Sequence, residues 1–307
     1  MTIFKGKSIG DPKYAPVKGT VFNQLFYFKK LHDYHAQLAK THPTMRLLAP
    51  NQSELYRIDV RNIEHILKTN FDKYSKGKYN QDIITDLFGE GIFAVDGDKW
   101  KQQRKIASYE FSTRVLRDFS CSVFRKNASK LVRVISEFSH EGLVFDMQDL
   151  QMRCALDSIF KVGFGTELNS FDESNALIYW RYVDPIWNLK TCDGRTADAP
   201  DVLPDGHKVE KGDGVYYLAY AMGRMSSIWG EDVDEFCPER WINNGIFQPE
   251  SPFKFVAFHA GPRMCLGKDF AYRQMKIVAM CVLNFYNQEM IEYSLSSSFL
   301  TTTMANL

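Results

Sequence analysis

The sequence lacks the features that mark several classes of protein. Its 307 residues carry 38 Lys and Arg against 37 Asp and Glu, a net charge of +1, so it has no general basic field for nucleic acid. No apolar run approaches the roughly 18 residues that cross a bilayer. The longest lies only at 277–283. The first residues reach Asp11 and Pro12 too early for a signal peptide. The sequence therefore predicts neither a nucleic-acid partner, nor a membrane span, nor secretion.

The cysteines form no C-x-x-C pair, which excludes a zinc ribbon and a disulfide scaffold and favours a reducing compartment. The six are Cys121, Cys154, Cys192, Cys237, Cys265 and Cys281. Disorder is excluded as well, because 23 Phe, 15 Tyr and 5 Trp supply ample core material.

Apolar periodicity predicts a mainly α protein with a small β portion. Two short runs, Met45–Leu48 and Leu55–Ile58, are strand-like. Helices are predicted over Phe22–Ala39, Asn62–Lys68, from Lys99 with Asp98 as N-cap, over Arg114–Phe138, and over Asp146–Val162 with Gly163 and Gly165 ending it.

The composition changes at about Lys190, after which the residues are typical of loops and hairpins. Asp205 and Gly206 predict a tight turn between short strands, and another strand is predicted over Gly214–Tyr220. Helix resumes only near Lys268, with one apolar face made by Phe270, Ile277, Val278, Cys281 and Phe285. The C-terminal segment 295–303 is predicted to form an irregular strand or a tail.

The most informative segment, from Phe258 to Gly267, matches F-x-x-G-x-R-x-C-x-G at every defined position. It predicts a tight loop that places Cys265 at the start of a helix, where amide groups and the helix dipole favour a thiolate. Gly261 and Gly267 permit the close approach of a flat ligand, and Arg263 supplies a cation for a carboxylate beside it. A thiolate with no second cysteine nearby suits an axial iron ligand better than zinc. The alternative is a buried cysteine in a glycine-rich turn.

This spacing resembles the haem-binding signature of the cytochrome P450 family. The resemblance implies haem b with Cys265 as the axial thiolate ligand to iron. It also implies that Phe258 screens the sulfur and that Arg263 contacts a haem propionate. The expected fold is cytochrome P450-like, in one domain over residues 1–307.

Further segments resemble the same family. Trp100 and Arg104 lie one helical turn apart, and the family places such a W-x-x-x-R pair against a haem propionate, although Trp and Arg also stack on ordinary helix surfaces. Arg240, in Pro238–Trp241, matches the arginine of the P-E-R-F element, which normally joins a buried ion-pair network. Arg195 resembles a basic residue on a strand near the haem edge.

Local segments around Trp100, Phe111 and Phe164 resemble the plant fatty-acid hydroxylase branch of the family. That likeness implies a monooxygenase that inserts oxygen into an aliphatic chain. It also implies electrons from an NADPH-dependent reductase, a small lipophilic substrate and attachment to the endoplasmic reticulum, although this chain has no transmembrane anchor.

Two family elements are missing. No A/G-G-x-D/E-T segment, the central distal helix that delivers protons during oxygen activation, occurs in the sequence, so no catalytic acid is assigned. The only E-x-x-R match, Glu54 to Arg57, lies in a strand-like region before Trp100 and is taken as chance. The sequence therefore predicts an internal deletion near 190–191, an incomplete fold, weak haem retention and an Arg240 without its usual partners.

Alternatives to a working enzyme follow from this deletion. One is a truncated, non-catalytic haem binder or an unstable remnant. Another is a metal site at His32 and His35 on the first helix, for which a solvated helix surface is the simpler account. His259, six residues before Cys265, could not reach the opposite face of the macrocycle and is interpreted as a loop-surface residue.

Overall fold

The computed structural model describes residues 15–48, 53–172 and 194–292. It is mainly helical with a small sheet portion, which confirms the predicted fold class. The chain divides into two compact units, Met1–Arg104 with Thr191–Cys265 and Lys105–Lys190 with Leu266–Leu307. A single domain over 1–307 stays a prediction. Residues 190–191 and 295–303, where the junction and the C-terminal strand were predicted, lie outside the described residues.

The strands all lie in the first unit. They are β1 (Val17–Thr20), β2 (Thr44–Leu48), β3 (Ser53–Arg57), β4 (Tyr74–Ser75), β5 (Gly194–Ala197), β6 (Asp201–Val202), β7 (Lys208–Val209), β8 (Gly214–Tyr217), β9 (Ile242–Asn243) and β10 (Ile246–Phe247). Six of them form one sheet in the order β1-β2-β3-β8-β5-β4, and β6-β7 and β9-β10 are separate hairpins. Both strand-like runs of the first half are thereby confirmed.

The centre of the large sheet is buried on both faces. Met45, Leu47 and Leu55 are completely buried, and Val215 on β8 is 2% exposed. β3 pairs in parallel with β8 and antiparallel with β2, so residues from both ends of the sequence close this core. Burial on both faces also encloses charged side chains, because Arg46, Glu54 and Arg57 on β2 and β3 are buried as well.

The helices are α1 (Val21–Phe26), α2 (Leu31–Thr41), α3 (Val60–Glu64), α4 (Gly77–Phe88), α5 (Gly97–Ser112), α6 (Arg114–His140), α7 (Met147–Phe164), α8 (Ala219–Met222), α9 (Ser226–Trp229) and α10 (Lys268–Glu292). A π-helical turn, His65–Thr69, extends α3. The structure confirms the predicted helices beginning near Asn62, Arg114, Asp146 and Lys268.

Three predicted boundaries are wrong. The helix over Phe22–Ala39 is broken at Tyr27, which leaves helical geometry at φ −100° and ψ 20°. α5 begins at Gly97, so Asp98 lies in its first turn instead of capping it. β8 ends at Tyr217, and the chain turns into α8 at Ala219, where a longer strand had been expected.

The second unit contains α6, α7 and α10. Asp146 caps α7 by accepting from two backbone N–H groups, and Gly165 ends it in a left-handed conformation with φ 72°, while Gly163 stays inside the helix. A small core lies between the helices, formed by Leu131, Ile135, Leu150 and Cys154, with Val278, Val282 and Tyr286 of α10 packed against it. Phe164 and Met280 are 73% and 71% exposed.

The turn between β6 and β7 is held by a carboxylate. Asp205 accepts from the Thr44 hydroxyl at 2.7 Å, the Asn62 amide at 2.6 Å and the His207 backbone N–H at 3.1 Å. Burial alone would raise the pKa of Asp205, but these hydrogen bonds and the nearby Arg57 lower it from 3.8 to about 2. The predicted Asp205–Gly206 turn is confirmed, and it ties the hairpin to β2 and α3.

Replacing Asp205 by Asn is expected to lower the free energy of unfolding by about 1–2 kcal/mol at neutral pH, because the amide loses charge-assisted hydrogen bonds. A carboxylate whose folded pKa is depressed stabilises the protein above its unfolded pKa, and that stability is lost as the pH falls. The difference between variant and parent should therefore shrink as the pH drops from 3.8 towards about 2. Urea unfolding at a series of pH values measures it.

Asp98→Asn is the matched control, because this carboxylate is fully exposed and only 3.5 Å from Lys101. It should change stability by less than about 0.5 kcal/mol at any pH. An equal effect at both positions would contradict the assignment of the stabilisation to the turn network.

Candidate functional site

Cys265 lies in a short, ordered loop of the first unit. A 3₁₀ turn over Gly261–Arg263 leads into it, and the Met264 N–H donates to the Gly261 carbonyl at 3.0 Å. The Cys265 N–H donates to the Phe258 carbonyl at 2.9 Å, and this hydrogen bond closes the loop. By the resemblance, Cys265 supplies the sulfur ligand and Phe258 screens it. The Cys265 side chain is exposed. The alternative of a buried cysteine in a glycine-rich turn is therefore wrong.

Gly261 is required at its position for two reasons. Its φ is +69°, which L side chains rarely adopt, and a Cβ there would lie 1.9 Å from the Leu67 carbonyl oxygen. The loop therefore packs backbone against backbone on the π-helical turn that follows α3. Gly267 immediately precedes α10 and accepts the first helical hydrogen bond, from Ala271 at 2.9 Å.

Arg263 anchors the loop to the chain just before α5. Its guanidinium donates to the Val95 carbonyl at 3.2 Å and to the Asp96 carboxylate at 2.5 Å. The same group lies 4.3 Å from the centroid of the Trp100 ring. The Arg263 side chain is only 8% exposed, so these contacts hold a nearly buried cation.

Asp96 is the residue that sequence reasoning missed. Besides Arg263, its carboxylate accepts from the Lys76 N–H at 2.9 Å and from the Gln81 side-chain amide at 2.8 Å. It thus satisfies N–H groups at the N-terminus of α4 while it pairs with the cysteine loop. No spacing in the sequence relates Asp96 to Arg263, which is 167 positions away. An acidic residue three positions before the helix predicted from Lys99 was the available signal.

Trp100 and Arg104 lie on one face of α5, as predicted, and both border the cysteine loop. The Arg104 guanidinium donates to the carbonyl of Met264, the residue before Cys265. Burial lowers the pKa of Arg104, while attraction to Cys265 opposes that shift. Trp100 is 6% exposed and contacts Phe71 at 5.8 Å between ring centroids. Within the described residues its indole N–H donates no hydrogen bond.

Arg195 lies on β5 and is 1% exposed, with its Nη1 donating to the Gly194 carbonyl at 2.8 Å. In the sheet it pairs with Val215, so it shares a face with Tyr217 two residues further along β8. The Tyr217 hydroxyl is 2.6 Å from Nδ1 of His259 in the cysteine loop. Arg195 therefore lies on the sheet face that contacts this loop.

Two of the histidine interpretations change. His35 is 1% exposed and packs against the rings of Tyr34 and Tyr56, so the solvated-surface account is wrong for it, although His32 is exposed. His259 is half-buried and paired with Tyr217, so it is more than a surface residue of the loop.

Arg240 has partners, although they are not the usual ones of the family, whose loss was predicted. It donates to the Trp229 carbonyl at 2.9 Å and pairs with the Asp232 carboxylate at 3.1 Å. A carboxylate eight residues earlier thus takes the place of the family's usual ion-pair network. Glu54 and Arg57, the E-x-x-R match taken as chance, are both buried on β3.

Comparison with known proteins defines the class of this chain. A family model for cytochrome P450 matches residues 10–203 and 190–301. Cytochrome P450 704C1 of Pinus taeda is 34% identical, with 91% of this chain and 88% of the relative covered. Cytochrome P450 704B1 of Arabidopsis thaliana is 26% identical over 91% and 90% of the two chains, and cytochrome P450 94B3 of the same plant is 27% identical over 90% and 85%.

The chain therefore belongs to the cytochrome P450 family. Members of this family are monooxygenases that bind haem b through a cysteine thiolate and receive electrons from redox-partner reductases. None of the helices in the described residues combines the length and apolar character needed to cross a membrane.

The comparisons also bear on the predicted incompleteness of the fold. The alignment to the Pinus taeda relative runs over 453 positions, whereas this chain has 307 residues. The relative therefore contains many residues without a counterpart here. This agrees with the prediction that the fold is incomplete.

The side chains around Cys265 fit a haem group. The cysteine is exposed and available as a ligand. Two positively charged side chains lie near it: Arg104 donates to the carbonyl of Met264, and Arg263 lies two residues before the cysteine. A nearly buried indole usually finds an acceptor for its N–H, and Trp100 has none among the described residues. A carboxylate substituent of the haem ring would supply that acceptor.

Gly261→Ala is expected to destabilise the first unit by about 2 kcal/mol or more, because the new Cβ must displace the Leu67 backbone. Gly245→Ala is the matched control. It has a φ of +75° but nothing within 4 Å of the new Cβ, so it should show only the strain of about 1 kcal/mol. Denaturant unfolding of both variants measures the difference. Equal losses would show that the close approach to Leu67 is unimportant.

Proposed function

We propose that this chain binds haem b with Cys265 as the axial thiolate ligand, in a protein of the monooxygenase type. The observation that carries the proposal is the exposed Cys265 side chain, which directly follows a loop segment held by Arg104 at Met264 and by Arg263. Haem, when bound, supplies the redox-active iron at which oxygen is activated for insertion into a C–H bond.

Each neighbouring residue has a defined task in this proposal. Arg104 holds the Met264 carbonyl and places a positive charge near the sulfur. Phe258 is half-buried, accepts the Cys265 N–H and screens the sulfur from water. Gly261 keeps the loop close to the Leu67 backbone.

The haem propionates are assigned to the cationic and N–H donors around the loop. Trp100 offers a free indole N–H, and Arg104 a guanidinium on the same helix face. Arg195 offers a second guanidinium, from the sheet face that also reaches His259. Arg263 keeps its contact with Asp96, so its task includes positioning the loop as well as attracting an acidic group.

The substrate we propose is a fatty acid or a similar aliphatic chain, oxidised with electrons from an NADPH-dependent reductase at the endoplasmic reticulum. The support is the likeness of the segments around Trp100, Phe111 and Phe164 to the plant fatty-acid hydroxylase branch. The relatives named above come from plants as well.

A second candidate function is haem binding without turnover, or an unstable remnant of the enzyme. It is favoured by the missing A/G-G-x-D/E-T segment, because without it no side chain of this sequence is assigned to deliver protons during oxygen activation. We further propose that residues 1–307 are one domain with a deletion near 190–191. The two stretches matched by the family model meet over 190–203, which supports this position.

Haem ligation is tested with the full chain reconstituted with hemin. After reduction and addition of carbon monoxide, the parent protein should show the strongly red-shifted Soret band of thiolate ligation. Cys265→Ser should abolish that band, because a hydroxyl does not replace the thiolate. Cys237→Ser, which changes another free cysteine outside the loop, should keep it. A spectrum of nitrogen or water coordination in the parent would contradict the proposal.

Turnover is tested by incubating the haem-loaded chain with a fatty acid, NADPH and a plant reductase, followed by mass spectrometry of the products. The monooxygenase proposal expects a hydroxylated product above the level of a haem-free sample. A thiolate spectrum combined with no product above that level would instead establish the second candidate, a haem binder without catalysis.

A further inference from the structure

The second unit contains a cavity of about 160 Å³ between α6, α7 and the loop that follows α7, which we call the lysine cavity. Three lysines line it, Lys126 and Lys130 from α6 and Lys161 from α7. Its apolar wall includes Phe119 and Leu168. Small-ligand sites are concave and mostly apolar, carry a few convergent polar groups and occur between packed helices. None of these residues belongs to the haem site proposed above.

One carboxylate holds the three ammonium groups of the lysine cavity together. The Nζ atoms of Lys126 and Lys161 lie 3.0 Å and 3.4 Å from Oε1 of Glu167, and Nζ of Lys130 lies 3.9 Å from Oε2. Hydrogen bonds from Lys126 and Lys161 lower the pKa of Glu167. Only the first distance falls within roughly 2.7–3.2 Å, the range of a normal hydrogen bond. A single carboxylate therefore binds the other two ammonium groups only weakly.

The same lysines fasten the loop that carries Glu167. Lys130 donates to the side-chain oxygen of Asn169 at 3.0 Å, and Lys161 donates to the Gly165 carbonyl at 3.2 Å. The two lysine side chains are 27% and 32% exposed, whereas surface lysines are usually well hydrated. These contacts fix where both ammonium groups lie, so the lysine cavity is pre-organised for an anion.

Positive charge is in excess in the lysine cavity. Its lining contains three lysines but two carboxylates, Glu167 and Asp157. Asp157 is 3% exposed, and both of its carboxylate oxygens accept from the Ser170 N–H, at 3.1 and 3.2 Å. Lys126 and Lys130 lie one turn apart on α6, where like charges repel and destabilise a helix. An anion bound between the lysines would relieve that repulsion.

We propose that the lysine cavity binds the phosphate group of a small molecule, either inorganic phosphate or a phosphate monoester, in place of the Glu167 carboxylate. A phosphate group carries about −1.5 to −2 charges at neutral pH and has at least three strong acceptor oxygens, so it can bind all three ammonium groups at once. The volume of about 160 Å³ is far larger than the ~15 Å³ that one water molecule needs. Glu167 is 38% exposed and lies in a loop, so its side chain can turn to solvent. The proposal does not depend on haem.

The experiment is isothermal titration calorimetry of the full chain at neutral pH and constant ionic strength, with inorganic phosphate and with glycerol 2-phosphate. The parent should bind at least one of them saturably at one site. Lys126→Gln and Lys161→Gln should each weaken binding by about tenfold, because each removes a charge-assisted hydrogen bond. Glu167→Gln should strengthen binding by about tenfold, because the neutral amide no longer competes for the ammonium groups.

Lys276→Gln and Glu137→Gln are the matched controls, because each removes the same charge outside the lysine cavity. Lys276 is an exposed lysine of α10, and Glu137 is an exposed carboxylate of α6 that pairs with Arg133. Both variants should bind phosphate like the parent, since salt screens exposed charges at a distance. Cys265→Ser should also bind like the parent, which separates failure of this proposal from failure of haem ligation.

The outcomes of the titrations are distinct. Binding of inorganic phosphate alone would support a site for the free anion, and binding of both compounds would support a site that also takes monoesters. Absence of saturable binding by both the parent and Glu167→Gln, with circular dichroism showing that they fold, would overturn the proposal. So would binding of acetate as tight as that of phosphate, or equal weakening by Lys276→Gln, because the attraction would then be to any acid or to net charge.

Discussion

The carboxylate of Asp96 is the interaction on which the candidate site depends. Arg263 is almost buried, and a guanidinium removed from water is tolerated only when it is paired and hydrogen-bonded. Asp96 provides that pairing, and the same carboxylate accepts from the first N–H groups of α4. The cysteine loop, the start of α4 and the segment before α5 are therefore joined through one side chain. The close packing of Gly261 on Leu67 adds a second, purely steric restraint on the loop.

The large sheet carries this arrangement. β8 brings Tyr217 to His259, and β5 carries Arg195 on the same face. These strands come from residues far apart in the sequence, and their central members are buried on both faces. The cysteine loop lies in the same unit as this sheet.

Haem binding and oxygen chemistry are separable in this chain. The charged and N–H donor groups that would hold the haem from the side of the cysteine lie in the first unit. The acid and threonine that the family uses for proton delivery have no counterpart in the sequence, and no contact described above replaces them. Arg240 has a partner in this structure, since its guanidinium pairs with the Asp232 carboxylate.

The sequence alone determined the family, the cysteine loop, the Trp100–Arg104 face and most helix positions, because these depend on local spacing and periodicity. It also predicted that the fold is incomplete, because the absence of an A/G-G-x-D/E-T segment is visible in the sequence itself. Tertiary structure decided the rest. Only packing reveals that Asp96 pairs with Arg263, that His35 is buried and that Arg240 finds Asp232. Each of these depends on which distant segment lies opposite a side chain, and local spacing carries no information about that neighbour.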